Sequence, residues 1–157
     1  MAADMTAAAE TPATRRDGAE EWVGTRPGER CLIRIPAEAT GGAFSLVEIV
    51  SDPGDSGTPL HVHRNEDEHF VILEGTAQVA YGDRVFDAAP GTALTLARGI
   101  PHAWRNASAT APLRMLVTCT PGGVEEVFRI IARGGEIDLP GLAARFGVQV
   151  LGPMPAV

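Results

Sequence analysis

The sequence predicts an all-β protein, a sandwich or barrel of antiparallel strands with short helices near the C-terminus. Two observations lead to this class. Strand-sized apolar segments recur along the chain with turn residues between them, and the 18 glycines and 12 prolines favour many turns over long helices. The length of 157 residues corresponds to about one domain, which is large enough to bury a hydrophobic core.

The predicted strands alternate with turns from residue 31 to residue 120. Pro36 ends the first strand, and Gly82 and Asp83 form a tight hairpin turn between the strands on either side. The strand segments, in chain order, are 31–35, 43–50, 68–73, 76–81, 84–88, 92–96, 102–106 and 112–120. Their spacing is typical of a barrel or sandwich.

The periodicity changes after the last of these strands. Apolar residues recur at helical spacing from Val124, and Glu125 and Glu126 occupy the first turn, where the helix dipole favours acids. A second short helix is predicted after Asp138, a candidate N-cap, and ends at Gly147. We expect both helices to pack on the outside of the barrel or across a dimer contact.

These patterns divide the chain into three parts. Residues 1–18 are rich in Ala and Thr without periodicity, so we expect a disordered N-terminal tail. Residues 19–120 are predicted to form the β-barrel, and residues 121–157 a C-terminal helical extension that packs on it.

Charge and composition limit the partners. The net charge of -7 disfavours nucleic acid and anionic membranes, which bind basic surfaces, so the expected partner is a small molecule. No apolar segment has the length of a signal-peptide core or of a membrane span. Cys31 and Cys119 are isolated residues, each in an apolar stretch. We therefore expect a cytoplasmic protein with two buried thiols.

The segment HVHRNEDEHFVILEG, residues 61–75, is the main candidate for a functional site. On a strand, His61 and His63 point to the same face, as do alternate residues from Glu68 onward. His102 adds a third imidazole from another predicted strand. Burying such ionisable groups without partners would cost several kcal/mol each, so a buried cluster of them indicates a bound cation.

Other residues in these segments have simpler interpretations. Glu66, Asp67 and His69 are expected to face solvent or to lie just outside the metal ligands. Glu66 is the reserve ligand, the residue expected to bind the metal if one of the others does not. His69 has the opposite strand parity to Glu68. A His-x-His pair on its own is more often a surface or packed pair than a metal site. Three inward residues are expected in the barrel core, where they can also contact substrate: Phe70, Ile72 and Trp104.

Two motifs together resemble those of the cupin superfamily. The first reads Gly54-x6-His61-x-His63-x4-Glu68-x6-Gly75, and the second reads Gly91-x5-Ala97-x-Gly99-x2-His102-x3-Asn106. The resemblance covers roughly residues 40 to 120, and the interval between the motifs is similar to that of small bacterial single-domain cupins of the quercetinase-like type. The sequence departs from the cupin pattern in two places. The first glycine is displaced by one residue, and Ala97 stands where the family usually has proline.

The resemblance implies a double-stranded β-helix, or jelly-roll, barrel that binds one divalent transition metal ion per chain. It places four residues on the metal-ligand positions: His61, His63, Glu68 and His102. Three imidazoles and one carboxylate suit Fe, Mn, Ni, Co or Zn and leave positions open for water or substrate. Glu68 is also the candidate catalytic base, and a homodimer is the expected assembly.

Three function classes follow from such a site. The first is an oxygenase, dioxygenase-like, that acts on a small aromatic or otherwise apolar substrate bound against Phe70, Ile72 and Trp104. The second is a non-redox metalloenzyme, such as a polyketide cyclase or a sugar isomerase. The third is a module that binds a metal or a small molecule without catalysis. Fold membership does not decide between them, and the oxygenase is the leading hypothesis.

Overall fold

A computed structural model describes residues 22–156 as two antiparallel β-sheets that form a jelly-roll barrel. The first sheet contains, in spatial order, β1 (Val23–Arg26), β2 (Glu29–Ile35), β3 (Ser45–Ser51), β10 (Leu113–Thr120), β5 (Asp67–Glu74) and β8 (Ala93–Leu96). The second contains β11 (Val148–Gly152), β4 (Leu60–His63), β9 (His102–Asn106), β6 (Ala77–Tyr81) and β7 (Arg84–Ala88). The all-β prediction is confirmed. The tail predicted for residues 1–18 lies outside the described residues.

All strands predicted from the sequence are present, and their ends shift by no more than about two residues, the usual uncertainty of element boundaries. The hairpin turn is confirmed as well. Tyr81 pairs with Arg84, so Gly82 and Asp83 alone connect β6 to β7. Gly82 has a φ of 59°, a left-handed conformation that glycine adopts without a Cβ clash.

Three strands of the structure are absent from the predicted series, namely β1, β4 and β11. β11 pairs with β4 and places Val148 opposite His63 and Val150 opposite His61. The segment 121–157, expected to be helical, thus also contributes a strand to the barrel. The alternation of apolar residues in β11 is short and directly follows α2, so the pattern is difficult to distinguish from the end of a helix.

The C-terminal segment contains two short α-helices, α1 (Glu126–Ala132) and α2 (Leu139–Arg145), close to the positions that the sequence predicts. Side chains of both helices, Phe128 and Leu139 among them, line a cavity of the barrel. The apolar face of each helix was predictable from its period, but the surface that it covers depends on long-range packing.

The start of α1 is fixed by a buried carboxylate. Glu125 is 1% exposed and accepts hydrogen bonds from the backbone N–H groups of Ala37 and Gly123, at 2.8 and 2.7 Å. The bond from Ala37 ties the start of the helix to the 3-10 turn Ala37–Thr40, whereas the bond from Gly123 is local.

The barrel interior is packed with apolar residues from both sheets. The largest fully buried apolar side chains include Phe70, Ile72, Leu96, Leu113 and Met115. Cys31 and Cys119 are buried free thiols, as the sequence predicts. Within residues 22–156, no helix is long and apolar enough to span a membrane.

Candidate metal centre

The four residues predicted as metal ligands lie together inside the barrel. β4 carries His61 and His63, β9 carries His102, and β5 carries Glu68. His61 and His102 are direct neighbours across the pair of strands β4 and β9, with ring centroids 4.6 Å apart. One potential ligand atom from each of the four residues lies within 4.8 Å of the others. The pairing of β4 with β9 therefore brings the three imidazoles together, and the other sheet contributes Glu68 from β5.

Two of the imidazoles are oriented by backbone carbonyl groups. Nδ1 of His61 lies 2.7 Å from the carbonyl oxygen of Pro59, and Nδ1 of His102 lies 2.9 Å from that of Ile100. A carbonyl oxygen can only accept, so each Nδ1 carries the proton and donates it. Nε2 is then the nitrogen of each ring that is left for a metal.

The third imidazole is held by Glu66, the reserve ligand of the sequence prediction. Nδ1 of His63 lies 3.1 Å from Oε2 of Glu66, whose residue is 6% exposed. Glu66 is not part of the cluster of four. It would therefore act on a metal through His63, by fixing the orientation of the ring and by increasing the basicity of Nε2.

Glu68 faces two of the imidazoles. Its Oε2 atom lies 2.8 Å from Nε2 of His102 and 3.5 Å from Nε2 of His63, and 14% of its side chain is exposed. The shorter contact is a hydrogen bond between the imidazole and the carboxylate. A metal ion at this centre would take the place of this bond and bind both atoms.

Burial and charge act in opposite directions on the ionisation of the site. Burial lowers the pKa of His61 to about 4, and the Glu68 carboxylate offsets part of this effect. Burial would also lower the pKa of His63, but the hydrogen bond with Glu66 and the charge of Glu68 raise it above the ordinary value. Burial would raise the pKa of Glu68, yet the hydrogen bond from His102 and the charge of His63 lower it to about 2. Glu68 is thus an anion at neutral pH.

This donor set fits a divalent transition metal. Three imidazole nitrogens and one carboxylate oxygen are ligands of Fe, Mn, Ni, Co and Zn. The hydrogen bonds at the Nδ1 atoms select the tautomer that such a metal requires, and four donors leave coordination positions open for water or substrate. The ligand types alone do not distinguish between these metals, because availability and geometry override intrinsic affinity.

The neighbouring polar residues of β5 lie outside this centre. His69 has Nδ1 2.9 Å from Oγ1 of Thr95 and Nε2 2.8 Å from Oγ1 of Thr120. Asp67 forms an ion pair with Arg98, whose Nε lies 3.0 Å from Oδ1. Neither residue belongs to the cluster of four, in agreement with their strand parity.

The cluster borders a cavity of about 190 Å³ inside the barrel. Phe70 and Trp104, which the sequence predicts as substrate contacts, line this cavity and pack edge to face with ring centroids 6.5 Å apart. Ile72 is 1% exposed and lies in the core, outside the cavity lining. Further apolar lining comes from the first sheet and from both helices: Val47, Ile49, Val117, Phe128, Ile131 and Leu139.

A second polar group of the cavity is not predicted from the sequence and consists of Thr25, Arg26 and Glu29. Arg26 and Glu29 form an ion pair of 2.6 Å, and the Arg26 guanidinium lies 5.1 Å from the centroid of the Trp104 ring. Thr25 and Arg26 belong to β1, a strand too short to show a clear pattern. Glu29 does have a signal in the sequence, because it shares strand parity with the buried Cys31.

This chain is similar to known proteins in sequence and in fold. A family model described as a cupin domain matches residues 47–119, the part of the chain that carries all four candidate ligands. Residues 47–119 thus match a cupin domain. A search of curated proteins finds no match.

Several solved structures share the fold of this chain. KdgF from Halomonas sp. is 18% identical, with a TM-score of 0.63, and the match covers 72% of this chain and 98% of that chain. The polyketide cyclase RemF from Streptomyces resistomycificus is 21% identical, with a TM-score of 0.57 and coverage of 68% and 77%. An RmlC-like cupin from Shewanella frigidimarina NCIMB 400 is 15% identical, with a TM-score of 0.61 and coverage of 71% and 93%. At these identities the similarity establishes the fold alone.

Proposed function

We propose that this protein is a metal-dependent oxygenase of the dioxygenase type that acts on a small aromatic substrate. The observation that carries the proposal is the position of the candidate ligand cluster beside a mostly apolar cavity, whose wall includes His61, His63 and Glu68. A substrate in that cavity would lie beside the open coordination positions and against the rings of Phe70 and Trp104. Such a site suits a molecule that is apolar except where it meets the metal.

His61, His63, Glu68 and His102 would hold the metal, which when bound supplies the redox change that allows dioxygen to react with an organic substrate. The protein supplies orientation and charge. The low pKa of Glu68 favours a role as ligand and hydrogen-bond acceptor over that of a general base, whose pKa works best near the pH of the reaction. A substrate hydroxyl group can donate to this carboxylate while the aromatic ring packs against the apolar wall.

The size of the cavity narrows the substrate class. A cavity of about 150 Å³ holds benzene, so the volume of about 190 Å³ is sufficient for one substituted ring. A catechol-like compound fits this space, whereas a flavonol-like compound of three rings would extend beyond it. We therefore favour a catechol-like substrate.

A non-redox metalloenzyme is the second candidate. The apolar lining disfavours a sugar, because buried hydroxyl groups need hydrogen-bonding partners. It is compatible with a cyclase that acts on an aromatic polyketide, and one protein with the same fold is a polyketide cyclase. Dependence on a redox-active metal separates this candidate from the oxygenase.

The test is dioxygen uptake by protein loaded with one metal at a time. The Fe, Mn or Ni form should consume dioxygen with a catechol, and the Zn form should not, because zinc has no accessible redox change. His102→Ala should lose the activity together with the metal, whereas His69→Ala, whose side chain contacts Thr95 and Thr120 outside the cluster, should retain it. Elemental analysis of protein purified without added metal identifies the native ion.

The oxygenase proposal is wrong if every redox-metal form leaves dioxygen unchanged across a panel of catechols and flavonols. Conversion of a substrate by the Zn form without dioxygen would support the cyclase in its place.

A further inference from the structure

Trp104 brings a polar group to the cavity, although most of its ring is an apolar part of the wall. It shares strand parity with His102 on β9 and so points into the barrel, roughly 7 Å farther along the strand. β6 pairs with β9 at Trp104 on one side, and Thr58 bonds to its backbone on the other. The small exposed part of Trp104, 4% of the residue, therefore faces the cavity that it lines.

The indole N–H of Trp104 is a donor that the protein leaves unused. The backbone N–H of Trp104 donates to Oγ1 of Thr58 at 3.0 Å, and its carbonyl oxygen accepts from the backbone N–H of Thr58 at 2.8 Å. Nε1 makes no hydrogen bond within residues 22–156. It is also not one of the fully buried side-chain atoms that lack a partner there. This donor is therefore accessible to a small molecule in the cavity.

An accessible donor in a mostly apolar wall favours a ligand that supplies an acceptor. Tryptophan N–H groups in protein interiors usually have a hydrogen-bonding partner. A substrate that fills the cavity displaces water from this N–H, so a purely apolar substituent would leave the donor unpaired. A substituent with an acceptor oxygen at this point avoids that cost.

The neighbours of Trp104 favour a neutral acceptor over an anion. The guanidinium carbon of Arg26 lies 5.1 Å from the centroid of the Trp104 ring, but Arg26 already forms ion pairs with Glu29 and Asp55, at 2.6 and 2.8 Å. One cation thus faces two carboxyl groups, so a further negative charge beside them is unfavourable. A carbonyl oxygen only accepts, whereas a hydroxyl group would also bring a donor that needs an acceptor of its own.

We propose that the indole N–H of Trp104 donates a hydrogen bond to a neutral carbonyl oxygen of the substrate, at the end remote from the metal. The inference rests on the proposed function, which places the other end of an aromatic substrate at the candidate ligands. One ring with an acyl substituent is long enough to reach from the centre near His102 to Trp104, two residues farther along β9. The substrate class is therefore an acyl catechol, whose ring oxygens face the metal centre and whose ketone oxygen faces Trp104.

Two catechols test this hydrogen bond: 3,4-dihydroxyacetophenone and 4-isopropylcatechol, in which a methyl group replaces the ketone oxygen. Calorimetric titration of the Zn form measures their binding without oxidation. The ketone also changes the affinity of the catechol oxygens for the metal, but this effect does not depend on Trp104. The ratio of the two affinities is therefore compared between the wild type and Trp104→Phe, which keeps an aromatic ring and lacks the N–H. The preference for the ketone should be about fivefold larger in the wild type, the effect of one neutral hydrogen bond.

Trp22→Phe is the matched control. Trp22 is 38% exposed and lies outside the cavity lining, so this variant should keep the affinity ratio of the wild type. It removes one indole N–H from a chain that contains two tryptophans, as Trp104→Phe does.

Nitrogen-15 NMR of the indole groups reports the bond directly in the wild-type Zn form. The two tryptophans give two indole N–H signals, which Trp22→Phe assigns. The aromatic ring of the ligand is the same in both complexes, so a difference between them reports the acceptor. The indole proton of Trp104 should lie at lower field with the ketone than with the isopropyl compound, and that of Trp22 should be the same with both.

Circular dichroism and metal content establish that the variants are folded and loaded. Equal affinity ratios in the wild type and in folded, loaded Trp104→Phe would overturn the proposal. If this variant does not fold, the NMR comparison decides, and a Trp104 proton at the same position in both complexes would overturn it. Failure of both catechols to bind would overturn it together with the choice of substrate class. Because no measurement uses dioxygen, the hydrogen bond can be confirmed when the oxygenase proposal fails.

Discussion

The two faces of β5 carry the same kinds of residue, yet these residues have different roles. On the inner face, Glu68 joins three imidazoles, and Phe70 follows it at the cavity wall. On the outer face, Asp67 pairs with Arg98, and His69 contacts two threonines. On the inner face, Glu68 lies close to ligand atoms of other residues, so that several could bind one ion. On the outer face, Asp67 and His69 each have separate hydrogen-bonding or ion-pair partners. Side-chain direction, more than residue type, therefore decides which of them can bind a cation.

The two adjacent carboxyl groups of β5 illustrate this difference. Hydrogen bonds from Arg98 lower the pKa of Asp67 to about 2. The pKa of Glu68 is also about 2, although burial opposes this shift, because His102 and His63 outweigh the burial. The ion pair that lowers the pKa of Asp67 is in contact with solvent, whereas the groups that lower the pKa of Glu68 lie inside the barrel. Salt should therefore weaken the shift of Asp67 more than that of Glu68.

Removal of an inward histidine should have the largest effect. His61→Ala, His63→Ala and His102→Ala should each lose most of the bound metal, because the set of four ligands falls to three. His69→Ala is the matched outward control and should bind as much metal as the wild type. Elemental mass spectrometry after gel filtration measures the metal content. Full metal in all three inward variants would show that the cluster is not the site.

A change at Glu66 should have an intermediate effect. Glu66→Gln keeps an acceptor for Nδ1 of His63 but removes the charge that increases the basicity of this ring. Metal affinity should fall roughly 10–100-fold, as for other partners of metal-bound histidines. Competition with a chelator of known affinity measures the change, and Glu74→Gln, at the exposed end of β5, is the control. A loss as large as that of His63→Ala would mean that Glu66 is itself a ligand.

The smallest expected effect is a difference between Asp67 and Glu68 in how much salt changes their pKa values in the metal-free protein. Both pKa values of about 2 lie below the ordinary values of 3.8 and 4.5, so each group binds fewer protons when the protein is folded than when it is unfolded. Each group therefore stabilises the fold above its ordinary pKa, and this contribution is lost as the pH falls towards about 2. In about 1 M salt, the pKa of Asp67 should rise towards its ordinary value while that of Glu68 stays low.

An NMR titration of the side-chain carboxyl carbons at low and high salt measures both pKa values. An equal rise of the two values would contradict the distinction between the faces of β5.

Strand parity explains why much of the candidate site could be predicted from the sequence. His61 and His63 lie two residues apart, so any strand through them presents both to one face. The same rule separates Glu68 from His69. The position of His102 could not come from parity, since it lies on a distant strand, and only the resemblance to a known family places it beside the others.

The parts that the sequence did not predict depend on long-range packing. Parity places Ile72 on the same face as Phe70, but it does not say how deep along the barrel each residue lies, and only Phe70 of these two reaches the cavity. The period of α1 identifies its apolar face, which could have covered the outer barrel surface equally well. The position of Arg26 in the cavity lining beside Trp104 depends in the same way on contact with a residue far away in the chain.

The pairing of β4 has a consequence for when the set of candidate ligands is complete during synthesis. β4 carries two of the candidate ligands, and both of its neighbours in the sheet, β9 and β11, come later in the chain. During translation, His61 and His63 leave the ribosome before the strands that position them have been made. At this stage the nascent chain presents two imidazoles without His102. All four candidate ligands could therefore bind one ion only after β9 has been made, and β4 has both of its neighbours only after β11.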